Sequence, residues 1–238
     1  MSSKELKFDF NYEILPENCK NYDQTFKIII IGDSGVGKSS LTQVATKNNF
    51  GEAYSPTVGF EYFVLNIKIK EKIIKLQIWD TCGQEIYRSL ISNFYRNSSI
   101  VIMVYSVTDR TSFENLELWY RDIRNNSNKN IDIFLIGNKI DLEKERKVKT
   151  EEGKNFKEKF GIKKFIESSA KNGFNTHKIF IEIAKLLYDQ NFLDNKTEKD
   201  LYTNGRIGNK TSNDDKSSMG SFDISALSVK KKNKKVCC

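Results

Sequence analysis

The sequence predicts an α/β protein with a six-stranded, mostly parallel sheet, one antiparallel edge strand and helices on both faces. Three observations predict this fold class. Short apolar runs alternate with longer segments of helical period, two consecutive strand candidates flank a short turn at 71–72, and a glycine-rich loop joins a strand to a helix at 32–37. Strands that alternate with helices favour a parallel sheet that is covered on both faces.

Each secondary-structure candidate follows from its apolar pattern. The strand candidates are 26–31, 60–70, 73–79, 100–106, 131–137 and 164–167. The helix candidates are 38–46, 88–96, 112–125, 150–160 and 175–189. In such sheets ligands bind at the carboxyl ends of the strands, so functional motifs are expected directly after them.

Composition divides the chain into three parts: an N-terminal extension (1–24), one globular domain (25–190) and a polar tail predicted to be disordered (191–238). In the extension, Phe8, Phe10, Tyr12 and Ile14 alternate with polar residues. This alternation is consistent with an added edge strand and equally with an unstructured segment.

Charge and cysteine usage exclude several classes of protein. Of the formal net charge of +8, five charges belong to lysines between 230 and 235, which leaves only +3 for the rest. The basic charge therefore describes a tail, and no nucleic-acid-binding surface is predicted. The four cysteines and single histidine show no zinc-site spacing, and a reducing, cytosolic compartment is expected. No signal peptide or membrane-spanning apolar run is recognised.

The glycine-rich loop matches the phosphate-binding pattern G-x-x-x-x-G-K-[ST] at 32–39. Its backbone N–H groups and the following helix N-terminus favour phosphate, with Lys38 reaching the β- and γ-phosphates and Ser39 binding Mg²⁺. A glycine-rich turn with a chance lysine is the alternative, and the strand–loop–helix context argues against it. The residues expected to contact nucleotide here are Asp33, Ser34, Gly35, Val36, Gly37, Lys38, Ser39 and Ser40.

A second motif indicates guanine. Asn138, Lys139 and Asp141 form N-K-x-D directly after the strand candidate 131–137. The Asp141 carboxylate can accept hydrogen bonds from the guanine N1–H and 2-amino groups, whereas adenine would leave it unpaired. Asn138 and Lys139 are expected to brace the base and the phosphate loop. A polar turn after a strand is the alternative for this tetrapeptide.

A third motif predicts metal binding and hydrolysis. Asp80, Gly83 and Gln84 follow the strand candidate 73–79. Asp80 is expected to hold Mg²⁺, Gly83 to meet the γ-phosphate and Gln84 to orient the attacking water. Thr57 has a hydroxyl and a carbonyl that suit the metal and the γ-phosphate. The predicted metal ligands are thus Ser39, Thr57 and Asp80.

Together these motifs resemble the Ras superfamily of small GTPases, from about residue 25 to residue 189. The segments at 59–62, 75–80, 87–89, 94–96 and 104–108 are similar to those of Rab proteins. By this resemblance Phe50 and Tyr54 cover the nucleotide, and Ser169, Ala170 and Lys171 contact the guanine oxygen. The family implies a GTP/GDP switch with Mg²⁺, in which Gln84, Lys38 and Thr57 are catalytic.

The resemblance also implies partners: an exchange factor, a GTPase-activating protein, a GDP-dissociation inhibitor, a prenyltransferase with its escort protein, and effectors. The protein itself is expected to be a monomer. Cys82 and Ile86 depart from the usual Rab residues, alanine and arginine. Trp119 and Phe113 are interpreted as core residues of a helix.

The last two residues are Cys237 and Cys238, preceded by the lysine run. They are not a C-a-a-X box and resemble the double geranylgeranylation signal of Rabs. Two lipids and a basic segment predict stable membrane attachment at the cytoplasmic face of endomembranes, with a soluble cytosolic pool. The alternative is a nuclear-import-like lysine run with incidental cysteines.

Two alternatives to a Rab-type traffic regulator stay open in the sequence. One is a guanine-nucleotide-binding module without turnover, although Gln84 and Lys38 are both present. The other is a Ras-like signalling GTPase of another branch, against which the terminal Cys-Cys and the segment 59–62 argue.

Overall fold

A mixed sheet of seven strands forms the centre of the computed structural model, which describes residues 10–48, 50–51, 57, 59–82, 94–128 and 130–193. The strands are β1 (Tyr12–Leu15), β2 (Gln24–Ile31), β3 (Phe60–Ile69), β4 (Lys72–Thr81), β5 (Ile100–Ser106), β6 (Asp132–Asn138) and β7 (Lys164–Glu167). The α-helices of these described ranges are α1 (Lys38–Lys47), α2 (Arg110–Glu114), α3 (Leu116–Asn126), α4 (Thr150–Lys159) and α5 (Thr176–Tyr188). A 3₁₀-helix covers Ile140–Glu145, and a short π-helical segment covers Asp189–Leu193.

The direction of the strands confirms the predicted fold class. The order across the sheet is β1-β3-β4-β2-β5-β6-β7. Strand β2 is parallel to both β4 and β5, and the pairs β5–β6 and β6–β7 are parallel as well. Strand β3 is antiparallel to β4. The sheet has one strand more than the predicted six because β1 pairs antiparallel with β3 outside it.

Consecutive isoleucines of β2 pack on opposite faces of the sheet, because successive side chains of a strand point in opposite directions. Ile28 belongs to the core that β2 shares with α1 and α5. Ile29 belongs to the core that β2 shares with α3 and α4. Both side chains are fully buried. Helices therefore cover both faces, as the apolar runs predicted.

The predicted helix at 112–125 is divided in two. Asp109 caps α2 by accepting hydrogen bonds from the backbone N–H groups of Thr111 and Ser112, so the helix begins earlier than predicted. It ends at Glu114, and α3 begins at Leu116. Most of the predicted helix at 88–96 lies outside the described residues. Among the residues that are described, no helix is long and apolar enough to cross a membrane.

The N-terminal extension joins the sheet. Of the two interpretations of its alternating pattern, the described residues show the edge strand, with Tyr12 opposite Ile69 and Leu15 opposite Asn66. Asn66 is fully buried in β3, and its Nδ2 donates hydrogen bonds to the carbonyls of Pro16 at 2.8 Å and Glu17 at 3.2 Å. The chain that follows β1 thus supplies both acceptors for the buried Asn66 NH₂ group, while Asn66 Oδ1 has no hydrogen-bond partner among the described residues.

Candidate functional site

The loop between β2 and α1 has a backbone that requires glycine at two positions. Gly32 and Gly37 have φ angles of 138° and 96°. A Cβ atom at Gly32 would lie 2.1 Å from the carbonyl oxygen of Val104, and one at Gly37 would lie 2.4 Å from Nδ2 of Asn138. The loop is therefore held tightly between β5 and the end of β6, which suits a phosphate cradle.

Lys38 opens α1 and lies beneath this loop. It is 5% exposed, and its Nζ donates hydrogen bonds of 2.8 Å to the carbonyl oxygens of Gly32 and Asp33. Burial lowers the pKa of Lys38 to about 8, while the carboxylates of Asp80 and Asp33 oppose that shift. The ammonium group is thus fixed at the loop, where a phosphate can meet it.

Three oxygen-bearing side chains meet next to Lys38. Ser39 Oγ lies 2.7 Å from Thr57 Oγ1, and it also donates a hydrogen bond to Asp80 Oδ2. Asp80 is fully buried, and its Oδ1 has no hydrogen-bond partner within the described part of the chain. Burial raises the pKa of Asp80 to about 6, with the Ser39 hydrogen bond and the Lys38 charge acting in the opposite direction.

These residues fit a divalent cation such as Mg²⁺, which prefers carboxylate, hydroxyl and phosphate oxygens. A buried carboxylate oxygen without a donor is costly unless it meets a positive charge. Thr57 reaches the group from a separate segment of the chain. The set can therefore hold a cation between the end of β4 and the start of α1.

The ends of β6 and β7 bring the predicted base-binding residues together. Asn138 Nδ2 donates to the carbonyl of Val36 at 3.0 Å, and Asn138 Oδ1 accepts from the backbone N–H of Ala170 at 3.2 Å. Ser169 Oγ donates to Asp141 Oδ1 at 2.6 Å. Asn138 thus links the phosphate loop to the segment after β7, and Ser169 orients the Asp141 carboxylate.

The other predicted residues occupy a range of environments. Lys139 is half-buried with a φ angle of 69°, Lys171 is exposed, and Phe50 is 36% exposed. In the phosphate loop Ser34 and Gly35 are exposed, Val36 is buried, and Ser40 of α1 is half-buried. The predicted residues that lie outside the described ranges are Tyr54, Gly83, Gln84, Cys237 and Cys238.

Two contributors to the site were missed by the sequence analysis. Asn115 Nδ2 donates to Asp33 Oδ2 at 2.6 Å, and Trp119 Nε1 donates to Asp33 Oδ1 at 2.7 Å. Trp119 is fully buried, as its interpretation as a core residue required. The available signal was Asp33 itself, because a carboxylate in a phosphate-binding loop needs donors that turn it away from the phosphates.

Comparison with known proteins agrees with this geometry. A family model described as the Ras family matches residues 27–189. The chain is 41% identical over 184 residues to Ras-related protein Rab-11B of Dictyostelium discoideum, covering 77% of this chain and 83% of that protein. It is 45% identical over 172 residues to Ras-related protein Rab-1 of Theileria parva, with 72% and 78% covered. It is 37% identical over 178 residues to Ras-related protein SEC4 of Candida albicans, with 75% and 84% covered.

The fold and the site define a P-loop guanine-nucleotide-binding protein with a Ras-like domain. The chain belongs to the Ras family and, within it, to the Rab proteins. It is a small GTPase that regulates vesicle trafficking.

Proposed function

We propose that this GTPase is a Mg²⁺-dependent GTP/GDP switch that acts at the cytoplasmic face of endomembranes and has a soluble cytosolic pool. The observation that carries the proposal is the meeting of Ser39, Thr57 and the unpaired oxygen of Asp80 beside the buried Lys38. A nucleoside triphosphate with its metal requires a charged lysine next to an oxygen-rich cation site, and this site has both.

The phosphate loop and the segments that follow β6 and β7 bind different parts of the nucleotide. Backbone N–H groups of the loop and the ammonium of Lys38 receive the phosphates, while Asp141, oriented by Ser169, accepts hydrogen bonds from guanine. Asn138 holds the two parts at a fixed distance through its contacts with Val36 and Ala170. This geometry supports guanine selectivity, because an adenine base would leave Asp141 without donors.

Hydrolysis requires a positioned water and stabilised charge. Mg²⁺ supplies neutralisation of the phosphate oxygens when it is bound. Asp80, Ser39 and Thr57 are proposed to hold it, and Lys38 to stabilise charge on the transferred phosphoryl group. Gln84, assigned from the sequence motif, is proposed to orient the attacking water.

A cluster of aromatic side chains is suited to bind partner proteins according to which nucleotide is bound. This aromatic patch consists of Phe60, Tyr62, Trp79 and Phe94, with Phe60 and Tyr62 48% and 45% exposed. Phe60 follows Thr57 by three residues, and Trp79 directly precedes Asp80. Exposed aromatic surface of this kind marks protein-binding sites. We assign effector binding to the aromatic patch, because it is joined through the chain to two proposed cation ligands.

The remaining partners follow from the switch and from the tail. An exchange factor and a GTPase-activating protein would set the nucleotide state, since release and hydrolysis are slow in proteins of this type. A prenyltransferase with its escort protein would modify Cys237 and Cys238, and a GDP-dissociation inhibitor would carry the lipidated protein through the cytosol. The lysines at 230–235 would strengthen attachment to anionic membranes.

The test is the nucleotide content and turnover of the purified full chain, with GTP and ATP compared in Mg²⁺ buffer. Tight retention of guanine nucleotide and slow hydrolysis of GTP alone are expected. Gln84→Leu should bind GTP normally and hydrolyse it at least about tenfold more slowly. Well-folded protein that neither retains nor hydrolyses guanine nucleotide would overturn the switch. Unchanged single-turnover rates in Gln84→Leu would overturn only the role of that side chain.

A further inference from the structure

A second concave site lies between α4, α5 and the start of β7, and the nucleotide site does not include it. Its cavity volume is about 550 Å³, within the range of small-ligand sites. Five lysines line it, together with the aromatic residues Phe134 and Phe165. We name it the lysine pocket, after Lys154, Lys157, Lys163, Lys164 and Lys185.

Two of the five lysines are balanced by carboxylates that also line the pocket. Lys164 Nζ lies 2.6 Å from Glu182 Oε2, and Lys185 forms an ion pair with Asp189. The first pair joins β7 to α5, and the second lies within one helical run. They leave three lining lysines without a carboxylate of the pocket.

The three other lysines give the pocket its excess of positive charge. Lys154 contacts Glu151 at 3.1 Å, a pair in which both side chains are more than half exposed. Lys163 reaches Asp132 only at 4.0 Å. Lys157 is half-buried and has no ion pair with any residue that the structure describes. A cavity lined by lysines with this excess of positive charge favours phosphate groups, which lysine binds as a point charge.

The lysine pocket and the nucleotide site lie at opposite ends of the sheet. Lys164 begins β7, whereas Asn138 ends the neighbouring parallel strand β6. Strand β6 has seven residues and so separates the two ends by about 20 Å. Helix α5 runs from Thr176, near the base-binding residues, to Tyr188, and Asp189 on the pocket rim follows it directly. The last described residues, Asp189–Leu193, therefore lie at the pocket end of the sheet.

We propose that the lysine pocket binds the phosphorylated headgroup of an anionic membrane lipid. Charge complementarity and the basic, cysteine-ended sequence that follows the described domain both point to this occupant. The proposal rests on the membrane attachment proposed above. The lysine run at 230–235 cannot itself occupy the pocket, because it carries the same sign of charge. Headgroup binding there would turn the nucleotide site and the aromatic patch away from the bilayer.

The experiment uses the GDP-loaded, unlipidated full chain and the double variant Lys157→Gln/Lys163→Gln. These lysines are chosen because neither has a close ion pair whose loss would disturb the fold. The matched control is Lys144→Gln/Lys147→Gln, which removes the same charge from exposed positions on the nucleotide side of the domain. Vesicle flotation compares phosphatidylcholine alone, phosphatidylcholine with phosphatidylinositol bisphosphate, and phosphatidylcholine with phosphatidylserine at equal net charge.

The pocket variant should bind phosphoinositide vesicles about fivefold more weakly for each lysine removed. The control variant should bind the same vesicles with an affinity within about twofold of the original chain. Lys157→Arg/Lys163→Arg should retain binding. Wild-type binding to phosphatidylserine vesicles should be weaker and insensitive to the pocket variant.

Three outcomes would overturn the proposal. Equal losses in the pocket variant and the control would indicate attraction through overall charge alone. Equal binding to the two anionic vesicle types would remove headgroup recognition. Calorimetric binding of soluble inositol trisphosphate, with vesicle binding unaffected by the pocket variant, would assign the pocket to a free phosphorylated ligand. GDP retention measured on the same samples separates these outcomes from failure of the nucleotide switch.

Discussion

Asp33 joins the phosphate loop to helix α3 through one carboxylate. Its two oxygens accept hydrogen bonds from Asn115 and Trp119, and its backbone carbonyl accepts one from Lys38. The negative charge therefore stays in the loop without pointing at the phosphate position. Because Trp119 is fully buried in the core under β5, a change in that core is transmitted directly to the loop.

Trp119→Phe should weaken nucleotide retention as well as stability. The change keeps one aromatic ring in the core but removes the rest of the buried indole, and it leaves Asp33 Oδ1 without its donor at a cost of about 1–3 kcal/mol. GDP dissociation should become roughly tenfold faster, as measured with a fluorescent nucleotide. Trp79→Phe is the control, since Trp79 Nε1 is buried without a hydrogen-bond partner in the described ranges. Equal dissociation rates in both variants would show that the indole contact does not position the loop.

Ser169→Ala should reduce selectivity for the guanine 2-amino group. The hydroxyl of Ser169 holds Asp141 at 2.6 Å, and without it the carboxylate loses its fixed orientation. A hydrogen bond to a charged group contributes about 1.5–3 kcal/mol, so GDP affinity should fall at least about tenfold, and inosine diphosphate affinity should fall less. Titration calorimetry measures both, and Ser169→Thr should restore the difference. A uniform loss for both nucleotides would contradict a role in orienting Asp141.

Strand β1 extends the sheet beyond the hairpin of β3 and β4. It covers the half of β3 that ends at Ile69, and the chain after it supplies the two carbonyls that accept hydrogen bonds from the buried Asn66 Nδ2. The half of β3 near Phe60 has no such partner in β1. The extension therefore stabilises the sheet away from the nucleotide, while the aromatic patch remains accessible.

Removal of residues 1–18 should destabilise the domain without abolishing nucleotide binding. Asn66 would lose both acceptors of its amide, and the edge of β3 would lose its ladder, for a combined cost of about 2–3 kcal/mol. For a domain of this size the melting temperature should fall by about 4–12 °C. Removal of residues 1–9 alone, which leaves β1 complete, is the control. If the two truncated proteins have the same melting temperature, β1 contributes nothing to stability.

Sequence reasoning succeeded where the signal is local. The strand at 100–106 and the helix opening at Lys38 follow from an apolar run and a glycine-rich loop, and both lie where they were expected. The sequence alone could not show whether Tyr12 and its neighbours form an edge strand or an unstructured segment, because pairing with Ile69 joins positions more than fifty residues apart. The contact between Asp33 and Trp119 spans 86 residues and was invisible for the same reason.

The domain has different features at the two ends of its sheet. The proposed nucleotide-binding residues lie at the carboxyl ends of β2, β4, β6 and β7, while the last described residues, Asp189–Leu193, lie at the opposite end of the sheet, where Asn191 contacts Gln24 at the start of β2. An attachment that uses both lipid and charge suits this arrangement, because one lipid chain alone binds membranes only marginally. The number of lipids is therefore expected to decide how long the switch stays on its membrane.

Cys237→Ser and Cys238→Ser should each leave one prenyl group and shift most of the protein to the soluble fraction. The double variant should carry none. Two chains give stable anchoring, whereas one is readily reversible, so the single variants should dissociate from vesicles far faster than the original chain. Intact-mass spectrometry after incubation with prenyltransferase and escort protein counts the lipids, and flotation measures the attachment. Cys19→Ser, which removes a half-exposed thiol from the N-terminal extension, should retain two lipids and full binding. Two lipids on either single variant would place the modification elsewhere in the chain and contradict the assignment of the terminal pair.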